Sequence, residues 1–322
     1  MGIGSAELWT ISLLGVAALF VLDFVVTRRP HEVSMKEAIG WSAFYIALPL
    51  LFGLWIWFGH GADLGLQFYA GYLVEKSLSV DNLFVFMLLL SSFAVPKELQ
   101  QRVLLIGVAG ALVLRGVFIA LGAVLISSFS WTFLLFGAIL LVTAVKVLRD
   151  AMSPEEAHVH VGDLRSVKLV RRFWPMTDGY RGARMMVMEN GRRALTPLAL
   201  ATIAILGTDV VFAVDSVPAV YGITGDPYLV FVTNAFALLG LRALYFVLAG
   251  ALSSLVHLGY GLAAILAFIG VKLVLHWAHG VWSWVPVVET GASLLVIVGI
   301  LGTVITTSLI STRRERRRTE VS

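Results

Sequence analysis

Hydrophobic residues occur along this chain in nine stretches of roughly 20, separated by short segments that hold most of the charged residues. A helix of that length matches the hydrocarbon core of a bilayer. The pattern therefore predicts nine membrane-spanning helices. We place them at residues 7–27, 38–58, 66–93, 103–126, 130–149, 196–219, 228–252, 257–277 and 285–309.

Composition supports an all-α polytopic membrane protein. Hydrophobic residues make up 59% of the 322 residues and charged residues 14%, with a mean hydropathy of +0.90. A soluble domain carries about 25% charged residues. The chain has no cysteine, which excludes disulfides and thiolate metal ligands.

Basic residues indicate the orientation of the spans. Of the 24 lysines and arginines, 19 lie in four segments that share one side of the membrane if there are nine spans. The segments on the other side hold none. By the positive-inside rule the N-terminus is outside and the C-terminus cytoplasmic. We interpret the basic tail, 310–322, as a topology determinant beside anionic headgroups, and we expect no nucleic-acid partner.

Residues 150–195 form the one sizeable polar segment, which is too short for a full domain. Within it, Met185–Glu189, the turn Asn190-Gly191 and Arg192–Thr196 predict a small hairpin. His158 and His160 lie two apart, so they would share one face of a strand. We interpret this cytoplasmic loop mainly as solvated, with a sensing role or a docked protein partner as the alternative.

Two of the predicted spans carry a pair of carboxylates six residues apart. The first pair is Glu75 and Asp81, and the second is Asp209 and Asp215. Carboxylates at membrane depth are costly, and they usually mark an ion path, a proton relay or a buried salt bridge.

The two acidic spans begin similar series of helices. In each series an acidic helix is followed by an arginine helix and then a lysine helix, with Arg115 and Lys146 in the first and Arg242 and Lys272 in the second. The series start on opposite sides of the membrane, so spans 3–5 and 6–8 form two inverted three-helix repeats. Such repeats are typical of secondary transporters with a site near the midplane.

This organisation divides the chain into six parts. Two peripheral helices are followed by the first repeat, the cytoplasmic loop, the second repeat, the ninth helix and the basic tail. Their bounds are 1–65, 66–149, 150–195, 196–277, 278–309 and 310–322.

The spacing of the acids also predicts depth. Six residues of helix rise about 9 Å and leave two side chains about 120° apart. Opposite helix directions would then place Glu75 with Asp215 in an outer layer and Asp81 with Asp209 in an inner one. A straight helix cannot direct both of its acids at one ion. We therefore expect a broken helix around Asp215, where Pro218 frees a carbonyl, and another around Asp81.

Oxygen ligands dominate both acidic segments. Together with the acids, Asn82, Ser79, Thr208 and Ser216 would make an all-oxygen site. Such a site suits hard divalent cations such as Mn²⁺, Mg²⁺ or Ca²⁺.

Intramembrane bases leave an alternative open. The candidate charge partners Lys76, Arg115 and Arg242 could neutralise the acids in static pairs, or take them up when a metal leaves. We interpret Lys146 and Lys272 as snorkelling lysines. Asp23 and Glu289 we interpret as residues at the membrane boundary.

The segments Glu75–Phe86 and Thr208–Ala219 resemble the TerC family, most closely its Alx-type bacterial members. Further matches are Asp23, Asp226-Pro-Tyr with Asn234, Leu238–Ala243 and Thr196-Pro-Leu. The resemblance implies a plasma (inner) membrane transporter akin to the lysine-exporter superfamily, with manganese export as its activity. It implies metal ligation by Glu75, Asp81, Asn82, Asp209, Asp215 and Ser216. Many relatives have a glutamate where this chain has Leu206, so a fifth carboxylate is not expected.

The leading hypothesis is an exporter of Mn²⁺ or a related hard divalent cation, driven by proton exchange, with no cofactor and no enzymatic activity. The alternative is a membrane scaffold or assembly factor, linked to tellurium or metal stress resistance, whose buried charges are structural. An intramembrane hydrolase is a third hypothesis, which no nucleophile–base pair supports.

Overall fold

The computed structural model describes residues 3–26, 33–152, 174–177, 179–189, 192–248 and 257–319, without the side chains of Asp81, Phe84, Arg192 and residues 312–319. In these ranges the chain is mainly helical. The elements are α1 (Ala6–Val26), α2 (Met35–His60), α3 (Ala62–Ser92), α4 (Lys97–Ser128), α5 (Thr132–Met152), β1 (Met186–Glu189), β2 (Arg192–Leu195), α6 (Pro197–Tyr221), α7 (Pro227–Leu239), α8 (Leu241–Leu248), α9 (Leu258–Val281) and α10 (Thr290–Thr319).

Eight of the described helical segments are long and apolar enough to cross a membrane, counting α7 and α8 together. The third predicted span is also a helix, α3, with 31 residues. It is not among the eight because Glu75, Lys76 and Asp81 lie in its middle. The prediction of an all-α membrane architecture is therefore confirmed for the described chain.

Helices α3, α4, α6 and α7 form the centre of the bundle. Helix α4 packs along α6, and α3 packs against both α6 and α7. Helices α1, α2 and α10 lie outside them and expose large apolar side chains such as Leu14, Leu51 and Leu295. Apolar surface on this scale suits a lipid environment rather than water.

Helices α5 and α9 form an antiparallel pair that crosses at two glycines. A Cβ on Gly137 would lie 2.9 Å from the carbonyl oxygen of Gly270, and one on Gly270 would lie 3.1 Å from that of Gly137. Small residues let the backbones approach closely, which is how helices associate in lipid. Phe133 meets His276 edge to face beyond one side of the crossing.

Helix breaks occur in other places than the sequence predicted. Helix α6 continues through Asp215 and Pro218 to Tyr221, and the backbone of α3 is helical through Asp81, so both predicted breaks are wrong. A proline in the last turn removes one donor without ending the helix. The predicted seventh span is interrupted instead, at Gly240 between α7 and α8.

The remaining elements lie at the helix ends. The predicted hairpin is confirmed, because β1 and β2 pair antiparallel with Met186 opposite Leu195, while the turn at 190–191 lies outside the described residues. His158 and His160 lie outside them as well. Helix α10 continues to Thr319, so most of the predicted tail is helical backbone.

Candidate functional site

A buried arginine in the middle of α4 joins the two acidic helices. Arg115 is fully buried, and its Nη1 donates to Glu75 of α3. Arg115 also donates two hydrogen bonds to Asp209 of α6, from Nη2 to Oδ1 at 3.1 Å and from Nε to Oδ2 at 3.3 Å. Two bonds from one guanidinium to one carboxylate fix the orientation of both groups.

Two amides complete the shell around this guanidinium. Asn234 of α7 accepts from Arg115 Nη1 at 3.0 Å. When the amide of Asn82 is turned so that its oxygen faces the guanidinium, its nitrogen donates to the Leu78 carbonyl at 3.1 Å and its oxygen accepts from Arg115 Nη2 at 3.3 Å. An arginine has five N–H donors, and all five have an acceptor here. We call Arg115, Glu75, Asp209, Asn82 and Asn234 the Arg115 centre.

Charge in the Arg115 centre does not balance. Two carboxylates face one guanidinium, and Glu75 and Asp209 are both fully buried. One oxygen of Glu75, Oε2, is buried and accepts no hydrogen bond within the described residues. An excess negative charge in a medium of low dielectric attracts a proton or a cation.

This geometry contradicts the predicted depth layers. Glu75 was assigned to the outer layer and Asp209 to the inner one, yet both bind one guanidinium. The rise per residue gives relative depth within one helix, but it does not determine how far α3 and α6 are shifted along each other.

The candidate metal ligands are divided between two places. Glu75, Asn82 and Asp209 lie in the Arg115 centre, whereas Asp215 and Ser216 line a cavity of about 410 Å³ beside it. The side chain of Asp81 lies outside the described part of the structure. Among the described residues, no three His, Cys, Asp or Glu side chains are grouped so that they could hold one metal ion.

We call the cavity lined by Asp215 and Ser216 the Asp215 cavity. It is lined by Asn82, Thr143, Lys146, Asp215 and Ser216 among others. Asn82 belongs both to this cavity and to the Arg115 centre, so the two are in contact. Ser216 is 1% exposed, and its hydroxyl has no hydrogen-bond partner among the described residues.

A second cavity lies at the opposite end of the α5–α9 pair. It has a volume of about 580 Å³ and is lined by Asp63, Tyr221, Lys272, His276 and Glu289 among others. Phe133, at the start of α5, also lines it, whereas Lys146 near the end of α5 lines the first cavity. We call it the Glu289 cavity.

Tyr221 lines the Glu289 cavity and contacts the helix that carries Arg115. Its hydroxyl donates to the carbonyl of Ile119 at 2.7 Å, one helical turn beyond Arg115 on α4. The ring packs where a Cβ on Gly122 would lie 2.8 Å from Tyr221 Cε2, so glycine is needed at that position. The Asp215 cavity thus shares Asn82 with the Arg115 centre, whereas the Glu289 cavity shares none of its described lining residues with that centre.

The other intramembrane charges have separate partners. Arg242 donates to both carboxylate oxygens of Asp23 and to Gln101, and Asp23 is 3% exposed. Asp23 lies in the last turn of α1 and Gln101 in the second turn of α4, so the position of Asp23 at the membrane boundary stays a prediction. Lys272 is also buried and donates to Ser293 at 2.9 Å, so it does not snorkel. Lys146 is exposed, as a snorkelling lysine should be.

Lys76 binds the backbone at the break in the predicted seventh span. Its Nζ donates to the carbonyl of Ala237 at 3.3 Å, and a Cβ on Gly240 would lie 3.2 Å from it. In a continuous helix, the N–H of Leu241 would donate to that carbonyl. The lysine therefore stabilises a freed carbonyl rather than pairing with Glu75.

Two residues of the site were missed as site residues. Asn234 binds Arg115, and Tyr221 joins the Glu289 cavity to α4. Both are polar side chains within long apolar stretches, and that rarity was the available signal.

Comparison with known proteins now defines the family. The family model described as "Integral membrane protein TerC family" matches residues 60–316. The chain belongs to the TerC family. As a TerC protein with eight apolar helical segments in its described part, it is an integral multi-pass membrane protein.

Similar TerC proteins extend over nearly the whole chain. An uncharacterized membrane protein of Myxococcus xanthus is 40% identical over 97% of this chain and 94% of its own length. A protein of Escherichia coli K12 named "Putative membrane-bound redox modulator Alx" is 40% identical over 98% of both chains. No solved structure matches the chain.

Proposed function

We propose that this TerC protein is a secondary transporter that exports Mn²⁺, or a related hard divalent cation, across the plasma membrane in exchange for protons. The observation that carries the proposal is the Arg115 centre, in which acids from two different helices share one buried guanidinium and leave a net negative charge.

Arg115 acts in this proposal as an internal substitute for the transported ion. Glu75 and Asp209 are hard oxygen ligands, the type that Mn²⁺ and Mg²⁺ prefer. A cation that reaches them through the Asp215 cavity has to compete with the guanidinium, so the site is filled by positive charge at every stage. This keeps two acids in a dry interior without leaving them unpaired.

Glu75 is the residue to which we assign the coupling proton. Its Oε2 has no donor in the described structure, whereas both oxygens of Asp209 are held by Arg115. Metal binding requires deprotonated carboxylates, so ion release and proton uptake oppose each other at one group.

The topology is part of the same proposal. Nine crossings, inverted repeats at 66–149 and 196–277 and an outside N-terminus would put the Asp215 cavity on the cytoplasmic side, which suits export. The similar lining of the two cavities, each with one lysine of the pair Lys146 and Lys272, supports the repeat.

Ion flux in proteoliposomes tests the function. We expect Mn²⁺ flux to rise with an opposing pH gradient and to exceed Zn²⁺ flux. Glu75→Gln and Asp209→Asn should each lower it at least about tenfold, since losing a charged ligand costs more than about 1.4 kcal/mol. Glu7→Gln, an exposed residue in the first turn of α1, is the matched control. A strong Zn²⁺ preference, or wild-type flux in both site variants, would overturn the proposal.

A scaffold role is the second candidate, because a set of fully paired buried arginines is also what a structural role would produce. Deleting residues 155–185 separates the two. Loss of metal tolerance in cells with unchanged flux in liposomes would favour the scaffold. The E. coli relative is named a putative redox modulator. A redox role based on thiols would need cysteine, and this chain has none.

A further inference from the structure

Three arginines converge on a groove at the end of the bundle where α3 ends and α4 and α6 begin. The groove has a volume of about 610 Å³ and is lined by Arg102 of α4 and by Arg181, Gly182, Arg184 and Met186 of the segment that leads into β1. We call it the arginine groove. It lies apart from the Arg115 centre and from both cavities described above.

Hydrogen bonds hold the arginine-bearing turn in place. Thr196 donates through its hydroxyl to the carbonyl of Arg184 at 2.8 Å, and its N–H donates to that of Met185 at 3.0 Å. Gly182 has φ +58, a left-handed conformation that glycine adopts without strain. Tyr180, whose pKa is raised by burial, donates to the carbonyl of Phe93 at 2.7 Å. The turn is thereby fixed to the ends of α3 and α6.

Positive charge in the groove is little compensated. Arg181 lies 3.5 Å from Glu189, in an exposed pair. Within the described chain, no carboxylate lies at ion-pair distance from Arg102 or Arg184. A guanidinium presents a planar fork of donors that matches phosphate oxygens, so three of them around one groove favour a phosphate group.

Depth and apolar surface identify the source of the phosphate. The groove lies at the ends of membrane-crossing helices, where lipid headgroups are found. Beside the arginines, Met186 and Met188 are exposed on one face of β1, and Trp174 is exposed nearby. Side chains of this kind contact the region between headgroups and acyl chains. We propose that the arginine groove binds the phosphate headgroup of an anionic phospholipid.

Lipid binding to the purified full-length chain tests this site. The affinity for phosphatidylglycerol, compared with phosphatidylcholine, is measured by native mass spectrometry and by the thermal shift in detergent. Each arginine near an anionic surface contributes about 1 kcal/mol, or about fivefold. The double variant Arg102→Gln/Arg184→Gln should therefore bind phosphatidylglycerol about 25-fold more weakly. Arg149→Gln, an exposed residue in the last turn of α5 and outside the groove, is the matched control.

Several results would overturn the proposal. Equal phosphatidylglycerol binding by the double variant and the wild type would do so. Equal weakening in Arg149→Gln would also do so, since that would indicate an effect of overall charge rather than of the groove. If inorganic phosphate raised the unfolding temperature as much as the lipid does, the groove would be a site for free phosphate instead. A Met186→Ser/Met188→Ser variant leaves the arginines in place, and it should weaken lipid binding without changing the response to inorganic phosphate.

Discussion

Arg115 shows what one residue contributes to this membrane protein. It is the largest of the fully buried side chains, and it draws its five acceptors from three other helices. Removing one member of such a set leaves the others charged and unpaired in the interior, which costs about 3–5 kcal/mol. The structural importance of Arg115 and its proposed role in transport can be separated by experiment.

Arg115→Met should destabilise the protein by about 3–5 kcal/mol at neutral pH, because Glu75 and Asp209 then lack a cation. Lower pH should reduce this loss, since protons neutralise the acids, and Mn²⁺ should reduce it if those acids bind metal. Thermal unfolding in detergent across pH and Mn²⁺ concentration measures both effects. The same substitution with Asp209→Asn should recover part of the stability. A loss that neither protons nor Mn²⁺ reduce would contradict the proposed competition.

At the scale of elements, contacts between helices shape the surroundings of the Arg115 centre. The end of α6 carries Tyr221 across to α4, where Gly122 makes room for its ring. The break at Gly240 leaves the Ala237 carbonyl as an acceptor for Lys76, the residue next to Glu75.

Tyr221→Ala should open the path between the Glu289 cavity and the centre. The chain has no cysteine, so Ser216→Cys provides a single thiol in the Asp215 cavity. A membrane-impermeant thiol reagent should label this cysteine from one side only, and from both sides after Tyr221→Ala. Tyr69, which also donates to a backbone carbonyl, provides the control Tyr69→Ala. Unchanged one-sided labelling would mean that Tyr221 is not the barrier.

At the scale of the whole molecule, a second buried ion pair attaches a peripheral helix to the bundle. Asp23 of α1 binds Arg242 of α8, which also donates to Gln101 of α4. Helix α1 is otherwise mostly exposed, with Val16 and Asp23 as its buried residues. Arg242 belongs to the second helical series, whereas its partner Asp23 belongs to neither series.

Asp23→Asn should therefore lower stability without changing ion selectivity. We expect a loss of about 3–5 kcal/mol in thermal unfolding, because Arg242 is left buried without its acid. The double variant Asp23→Leu/Arg242→Met should recover much of it, as apolar replacement of a buried pair often does. The ratio of Mn²⁺ to Zn²⁺ flux should stay at the wild-type value in both. A changed ratio would place Asp23 in the ion path.

Sequence alone determined the parts of this protein that depend on local pattern. Apolar runs are long enough to predict spans, Asn-Gly between alternating residues predicts the hairpin, and intramembrane acids and arginines are rare enough to be noticed singly. These signals follow from the cost of placing polar groups in lipid, which acts on each residue by itself.

Only the tertiary structure decided which charges meet. Glu75 and Asp209 join on Arg115 rather than lying in separate layers, and Asp23 is buried against Arg242, a pairing that the sequence did not predict. In lipid, inward and outward faces of a helix are both apolar, so the sequence carries little signal for its rotation. Crossing angles and rotations arise from close packing, as at Gly137 and Gly270, and they set which side chains come within reach.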